Sequence, residues 1–135
     1  MSTYKSKVDV WLVVLIFAPA VYLLYTSLNS AEYGAVIILL LSVLFVAYLF
    51  LTTEYKITQT ALNIKAGFIV DKNIAISEIK SVQKTNNMLS SPALSLDRLE
   101  IKYGNKFDFI LISPVRKEEF VKELLSVNPD IQVTI

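Results

Sequence analysis

Two uncharged stretches decide what this chain can fold into. No residue from Val10 to Ala31 is charged, and none from Tyr33 to Thr53. Each is longer than the ~20 residues a helix needs to cross the hydrocarbon core. Isolated segments satisfy their backbone in lipid only as helices, so two spans are expected, over about 10–31 and 33–53. Neither stretch carries the polar face that marks a surface helix of a soluble protein. Lys5, Lys7 and Asp9 precede the first stretch, and Ala18-Pro19-Ala20 has the small residues of a cleavage site. The apolar run nevertheless continues through Val21 and Leu24 to Tyr25, whereas a cleavable signal ends at its site. The first span is therefore read as uncleaved, kinked where Pro19 removes a hydrogen bond. Trp11 and Tyr25 suit its interfacial ends.

The turn Asn29-Ser30-Ala31-Glu32 is too short for anything but an antiparallel hairpin. Lys5 and Lys7 lie before the pair, Lys56 and Lys65 after it, and the turn carries only Glu32. The positive-inside rule then predicts that both termini are cytoplasmic. The expected division is a transmembrane hairpin over 1–53 and a second domain over 54–135.

The second domain reads as short strands followed by one helix. Tyr55 and Ile57, then Leu62 and Ile64, alternate with polar neighbours, and Gly67 punctuates. Ile74, Ile76, Ile79 and Val82 are inward candidates. Leu99, Ile101 and Tyr103 share one face of the next strand. Gly104-Asn105 signals a two-residue hairpin, returning through a strand with Phe107, Phe109 and Leu111 on one face. Ser113 as N-cap and Pro114 at the first position predict a helix over 114–127, with Phe120, Leu124 and Val127 on its apolar face. Asn128-Pro129 stops it, and "IQVTI" forms a last short strand. No βαβ alternation appears, so a parallel sheet is not expected. The fold class is α+β: a two-helix transmembrane hairpin, then an antiparallel β-barrel or sandwich capped by a C-terminal helix.

Composition excludes several kinds of chemistry. There is no Cys and no His. Thiolate catalysis, disulfides and the commonest zinc ligands are thus absent. Ser90, Ser91 and Ser95 have no base to activate them, and Ser90 and Ser91 open no Ser-x-x-Lys pattern. Glu118 and Glu119 are adjacent on the expected helix and diverge by about 100°. The only glycines, Gly34, Gly67 and Gly104, build no phosphate loop. No enzyme activity, cofactor or metal site is expected. The net charge of +1 is not that of a nucleic-acid binder.

"YKITQTALNIKAG" and "IAISEIKSV" resemble the opening strands of bacterial pleckstrin-homology-like domains. "SSPALSLDRLEIKYG" followed by "ILISPVRKEEFVKEL" resembles, more specifically, the YyaB-like bacterial PH-domain family, the grouping that includes the sublancin immunity protein. The resemblance covers roughly residues 54–135. It implies two near-orthogonal antiparallel sheets capped by the 114–127 helix. The spans resemble only generic anchors, and from them the expected location is the bacterial inner (plasma) membrane. It implies a fold more than a role.

In such a fold, Thr85 to Leu96 is a long connection, and long ordered loops are often functional. One reading gives Ser90, Ser91 and Pro92 to turn chemistry and pairs Asp97 or Arg98 locally. The other makes Ser90, Ser91, Pro92, Asp97 and Arg98 a recognition edge, with Arg98 offering a fork to an anionic group. The expected function is a membrane-anchored binding or scaffold module for a protein or peptide, with bacteriocin immunity as one form. The alternative is anionic lipid. A headgroup site needs concentrated basic charge. Of the 13 Lys and Arg and 12 Asp and Glu, only Lys5, Lys7, Asp9 and Glu32 precede residue 54, so the domain's charges are mixed.

Overall fold

The computed structural model describes residues 1–87, 89, 94–106 and 108–135. A short strand β1 (Ser2–Lys5) leads into helices α1 (Val10–Asn29) and α2 (Tyr33–Thr52). Both are long and apolar enough to cross a membrane, and neither contains a buried residue. Apolar side chains point outward around both helices, among them Leu15, Tyr22, Leu41 and Leu44. Such a surface is the pattern of a helix solvated by lipid. Ala31, at φ 56°, makes the turn between them.

Strands β2 (Glu54–Ile57), β3 (Ala61–Ala66) and β4 (Val70–Ala75) follow, then a single 3-10 turn at Ile76–Glu78. Strands β5 (Ile79–Thr85), β6 (Arg98–Tyr103) and β7 (Asp108–Ile112) precede helix α3 (Lys117–Val127) and a final strand β8 (Gln132–Thr134). They form two four-stranded sheets, ordered β1-β2-β3-β4 and β7-β6-β5-β8. The shared core contains Tyr55, Leu62, Ile64, Ile76, Val82, Leu99, Ile101, Phe120 and Leu124. The period-two alternation seen in the sequence is therefore the inward face of both sheets.

The residues ahead of the first helix do more than flank it. β1 pairs antiparallel with β2, with Tyr4 opposite Tyr55 and Lys5 opposite Glu54. Tyr4 is buried, its ring edge-on to Phe120 at 5.3 Å, and its hydroxyl donates to Glu123 Oε2 at 2.6 Å. Burial and the neighbouring Glu123 push the Tyr4 phenol up to about 12. The helical hairpin is thus an insertion between two paired strands of one sheet. Its two ends leave the domain side by side, where Ser6 N–H donates to Thr53 O at 3.2 Å.

Four local expectations are corrected. β8 pairs with β5 in parallel, Val82 opposite Val133, so the second sheet is mixed; α3 carries the chain across before it returns. The helix begins at Lys117, not Pro114. Residues 113–115 instead run alongside the end of β1, with a Ser6–Pro114 bridge and Val115 N–H donating to Lys5 O. On β7 Ile110 and Ile112 join the core opposite Ile101 and Leu99, and Leu111 is buried as well, while Phe109 is 42% exposed; Phe107 lies outside the described residues. The β6–β7 connection runs from Tyr103 to Asp108, longer than a two-residue hairpin, with Gly104 at φ 70°.

The strands give the domain two ends. The helices attach at one, and β2 and β4 run away from it while β3 runs back. The β3–β4 turn therefore returns to the helices, and Phe68 meets Phe45 and Tyr48 of α2. The β2–β3 turn and the Ile76–Glu78 turn lie at the opposite end, about 20 Å away by the rise of six-residue β3.

Candidate functional site

The helix-proximal end is where the sequence placed its candidate residues. Arg98 is buried, 8% exposed, and does not form an exposed fork. Its Nε donates to Ser95 O at 2.6 Å, and its Nη1 to Asn87 O at 3.0 Å and Leu89 O at 2.8 Å. One guanidinium thereby gathers carbonyls from both limbs of the 86–97 connection. Desolvation pushes its pKa down. Asp97 is held by Lys117 and, at 3.2 Å, by Lys7. These bonds tie the loop to α3 and to the segment before α1. Ser90, Ser91 and Pro92 lie outside the described residues.

Asp9, which the sequence did not single out, completes this latch. Its Oδ2 accepts from Leu96 N–H at 3.0 Å and from Trp11 Nε1 at 3.3 Å, and its own N–H donates to Leu94 O. A buried hydroxyl group of contacts lies beneath. Tyr55 OH donates to Ser6 Oγ at 3.0 Å and accepts from Ser113 N–H at 3.2 Å, and Ser6 and Ser113 share a hydrogen bond at 3.0 Å. β1, β2 and the segment after β7 are joined where the helices leave. Nothing in the sequence marks Ser6, and Ser113, expected as an N-cap, instead bonds here, since the helix begins at Lys117 with Arg116 at its cap position.

The latch has a pH signature. Hydrogen bonds from Lys117 and Lys7 hold the Asp97 carboxyl below the usual 3.8. Desolvation pushes Asp9 up, but bonds from Leu96, Ser95 and Trp11 and the charge of Lys7 outweigh it, and its net shift is also downward. Carboxylates depressed by folding stabilise the folded state fully above their unfolded pKa, and that contribution is lost as pH falls through the folded value. Protease cleavage within 86–97 is expected to stay constant from about pH 7 to about pH 5 and to rise only below about pH 4. Asp97→Asn should flatten that acid step. Loosening already near neutrality would contradict the latch.

The helix-distal end holds a cleft of about 990 Å³. That is the size of a small-molecule or short-peptide site. Its walls come from chain ends far apart in sequence: Gln59 and Thr60 of the β2–β3 turn, Ser77, Lys80 and Ser81, Lys102 to Asn105, Asp108, and Asn128, Asp130 and Gln132 after α3. Gly104 N–H donates to Glu78 O at 3.0 Å and Asn128 Nδ2 to Ile76 O at 3.0 Å, which fixes the rim. Lys72 of β4 sits 4.9 Å above the Tyr103 ring. Lys80 and Lys102 share the lining with Asp108 and Asp130, and Lys102 pairs with Glu100 at 3.3 Å. The lining offers donors and acceptors of both signs and no concentration of cations. Among the described residues no group of acidic, His or Cys side chains is arranged to hold a metal ion.

Residues 53–128, more than half the chain, match the family described as Bacterial PH domain. No curated protein and no solved structure matches. The two sheets, the helix packed on their core and the matched residues agree, and the chain belongs to the bacterial PH domain family.

Proposed function

We propose that this chain is a non-enzymatic, membrane-anchored recognition module. The two helices span the bacterial inner membrane, both termini are cytoplasmic, and the distal cleft takes a segment of a protein or peptide. The observation that carries this reading is the cleft's place in the fold. The β2–β3 turn and the Ile76–Glu78 turn put it at the end opposite the helices, about one strand length from any bilayer that holds them. A lipid of the same membrane does not reach it. Its amide and mixed-charge lining suits a peptide backbone with charged side chains better than a phosphorylated headgroup, which calls for clustered Lys and Arg. A YyaB-like role in immunity against a peptide toxin is the specific form we favour, on the motifs over 90–104 and 110–124.

The test uses the full chain in lipid nanodiscs, with a photo-crosslinking residue at Asn105 on the cleft or at Asn63 away from it. The proposal expects a discrete protein or peptide adduct from Asn105 and none from Asn63. Lipid adducts from Asn105, together with binding of anionic vesicles that fades with salt, would instead establish the lipid alternative.

A further inference from the structure

The β3–β4 turn presents two bulky apolar side chains beside the helices. Phe68 is 76% exposed and Ile69 57% exposed. Phe68 touches α2 on one side only, its ring centroid 6.0 Å from that of Phe45 and 6.1 Å from that of Tyr48. Packing against α2 therefore leaves most of the ring uncovered. Gly67, at φ +57°, lets the turn press this closely, since a Cβ there would lie 2.9 Å from Leu49 Cδ2 and from Tyr48 Cε1. Ile69 N–H donates to Ala66 O at 3.3 Å, so the turn satisfies part of its own backbone.

From this contact we infer that the Phe68–Ile69 turn inserts into the bilayer interface beside α2, as a third membrane attachment of the domain. The inference rests on the reading of α1 and α2 as spans. Tyr48 lies one helical turn from the end of α2 at Thr52, the level at which Tyr anchors a span at the interface. Phe45 lies seven residues from that end, about 10 Å along the axis. A ring in contact with both sits within the ~5–10 Å by which interfacial elements bury their apolar faces. The outer surface of α2 is continuous with it, since Leu41, Leu44 and Phe45 are exposed as well. Lipid chains that cover α2 thus cover Phe68 too. Two helices leaving side by side act as a hinge, and a third point removes the remaining rotation. The distal cleft is then held facing away from the bilayer.

Trp fluorescence in vesicles tests this, because Trp11 is the only Trp and Trp11→Phe gives a silent background. In that background, Phe68→Trp and Ile69→Trp probe the turn, Phe45→Trp probes the span and Asn105→Trp probes the cleft. The expected result is blue-shifted emission at 68 and 69, quenched more by lipids brominated near the headgroup than by those brominated near the chain ends. Position 45 should be quenched and position 105 should not. Quenching at 45 with red, unquenched emission at both 68 and 69 would overturn the inference and leave the spans intact. An unquenched position 45 would overturn the spans, and the inference with them.

Discussion

Deleting residues 2–5 is expected to unfold the sheet domain, although the deletion removes only a short segment outside the stretch matched by the family. Those residues form the edge strand beside β2, and the Tyr4 ring packs on Phe120, which also meets Tyr55. Truncating a buried aromatic costs about 3–5 kcal/mol. The Tyr4–Glu123 bond and the β1–β2 ladder would be lost with it. Domains of this size hold only about 5–15 kcal/mol in total. Tyr4→Ala alone should lower the thermal midpoint by many degrees, and a fragment beginning at Thr53 should give little dispersed NMR signal. A variant in which an Asn-Gly turn joins Lys7 directly to Thr53 keeps β1 beside β2 and discards both helices. It is expected to fold and to stay soluble without detergent. A stable fragment lacking β1, or failure of the Asn-Gly variant to fold, would contradict the role given to this strand.

Arg98→Ala is the second substitution expected to have a large effect. It strips Ser95, Asn87 and Leu89 carbonyls of a charged donor in a buried setting. A hydrogen bond to a charged group contributes about 1.5–3 kcal/mol, and unsatisfied buried acceptors add a desolvation cost. We expect a loss of about 3 kcal/mol or more, with proteolysis at 86–97 as the first sign. Arg98→Lys should recover only part of this, because an ammonium lacks the planar fork that reaches both limbs of the loop. If Arg98→Ala left both stability and proteolysis at 86–97 unchanged, the loop-closing role would fail.

The elements that alternate strictly were legible in the sequence. β2, β3 and β6 follow their period of two, and α1 and α2 announce themselves by length without charge. β1 was not legible, because Ser2–Lys5 offers a single large apolar side chain and no repeat. Only the partner strand, some fifty residues away, makes it a strand. Arg98 alternates with Leu99 as an outward residue would, but the overlying 86–97 connection covers it and its charge is consumed by carbonyls. On β7 four consecutive apolar residues, Phe109–Ile112, carry no alternation, so which parity faced inward was undetermined until the register with β6 fixed it. The cleft was beyond the sequence for another reason. It is made where several chain ends converge, and none of its residues forms a motif.

The geometry joins β1 to β2 across the hairpin, so the proposed spans require β1 and the rest of the sheet domain to lie on one side of the membrane, with the α1–α2 turn on the other. The chain has no Cys, which leaves a clean background for single introduced thiols. Labelling intact bacterial cells with a membrane-impermeant maleimide should modify Ser30→Cys, while Thr3→Cys and Asn105→Cys should react only after permeabilisation. Reaction of position 3 and position 105 on opposite sides, or of all three positions alike in intact cells, would contradict it.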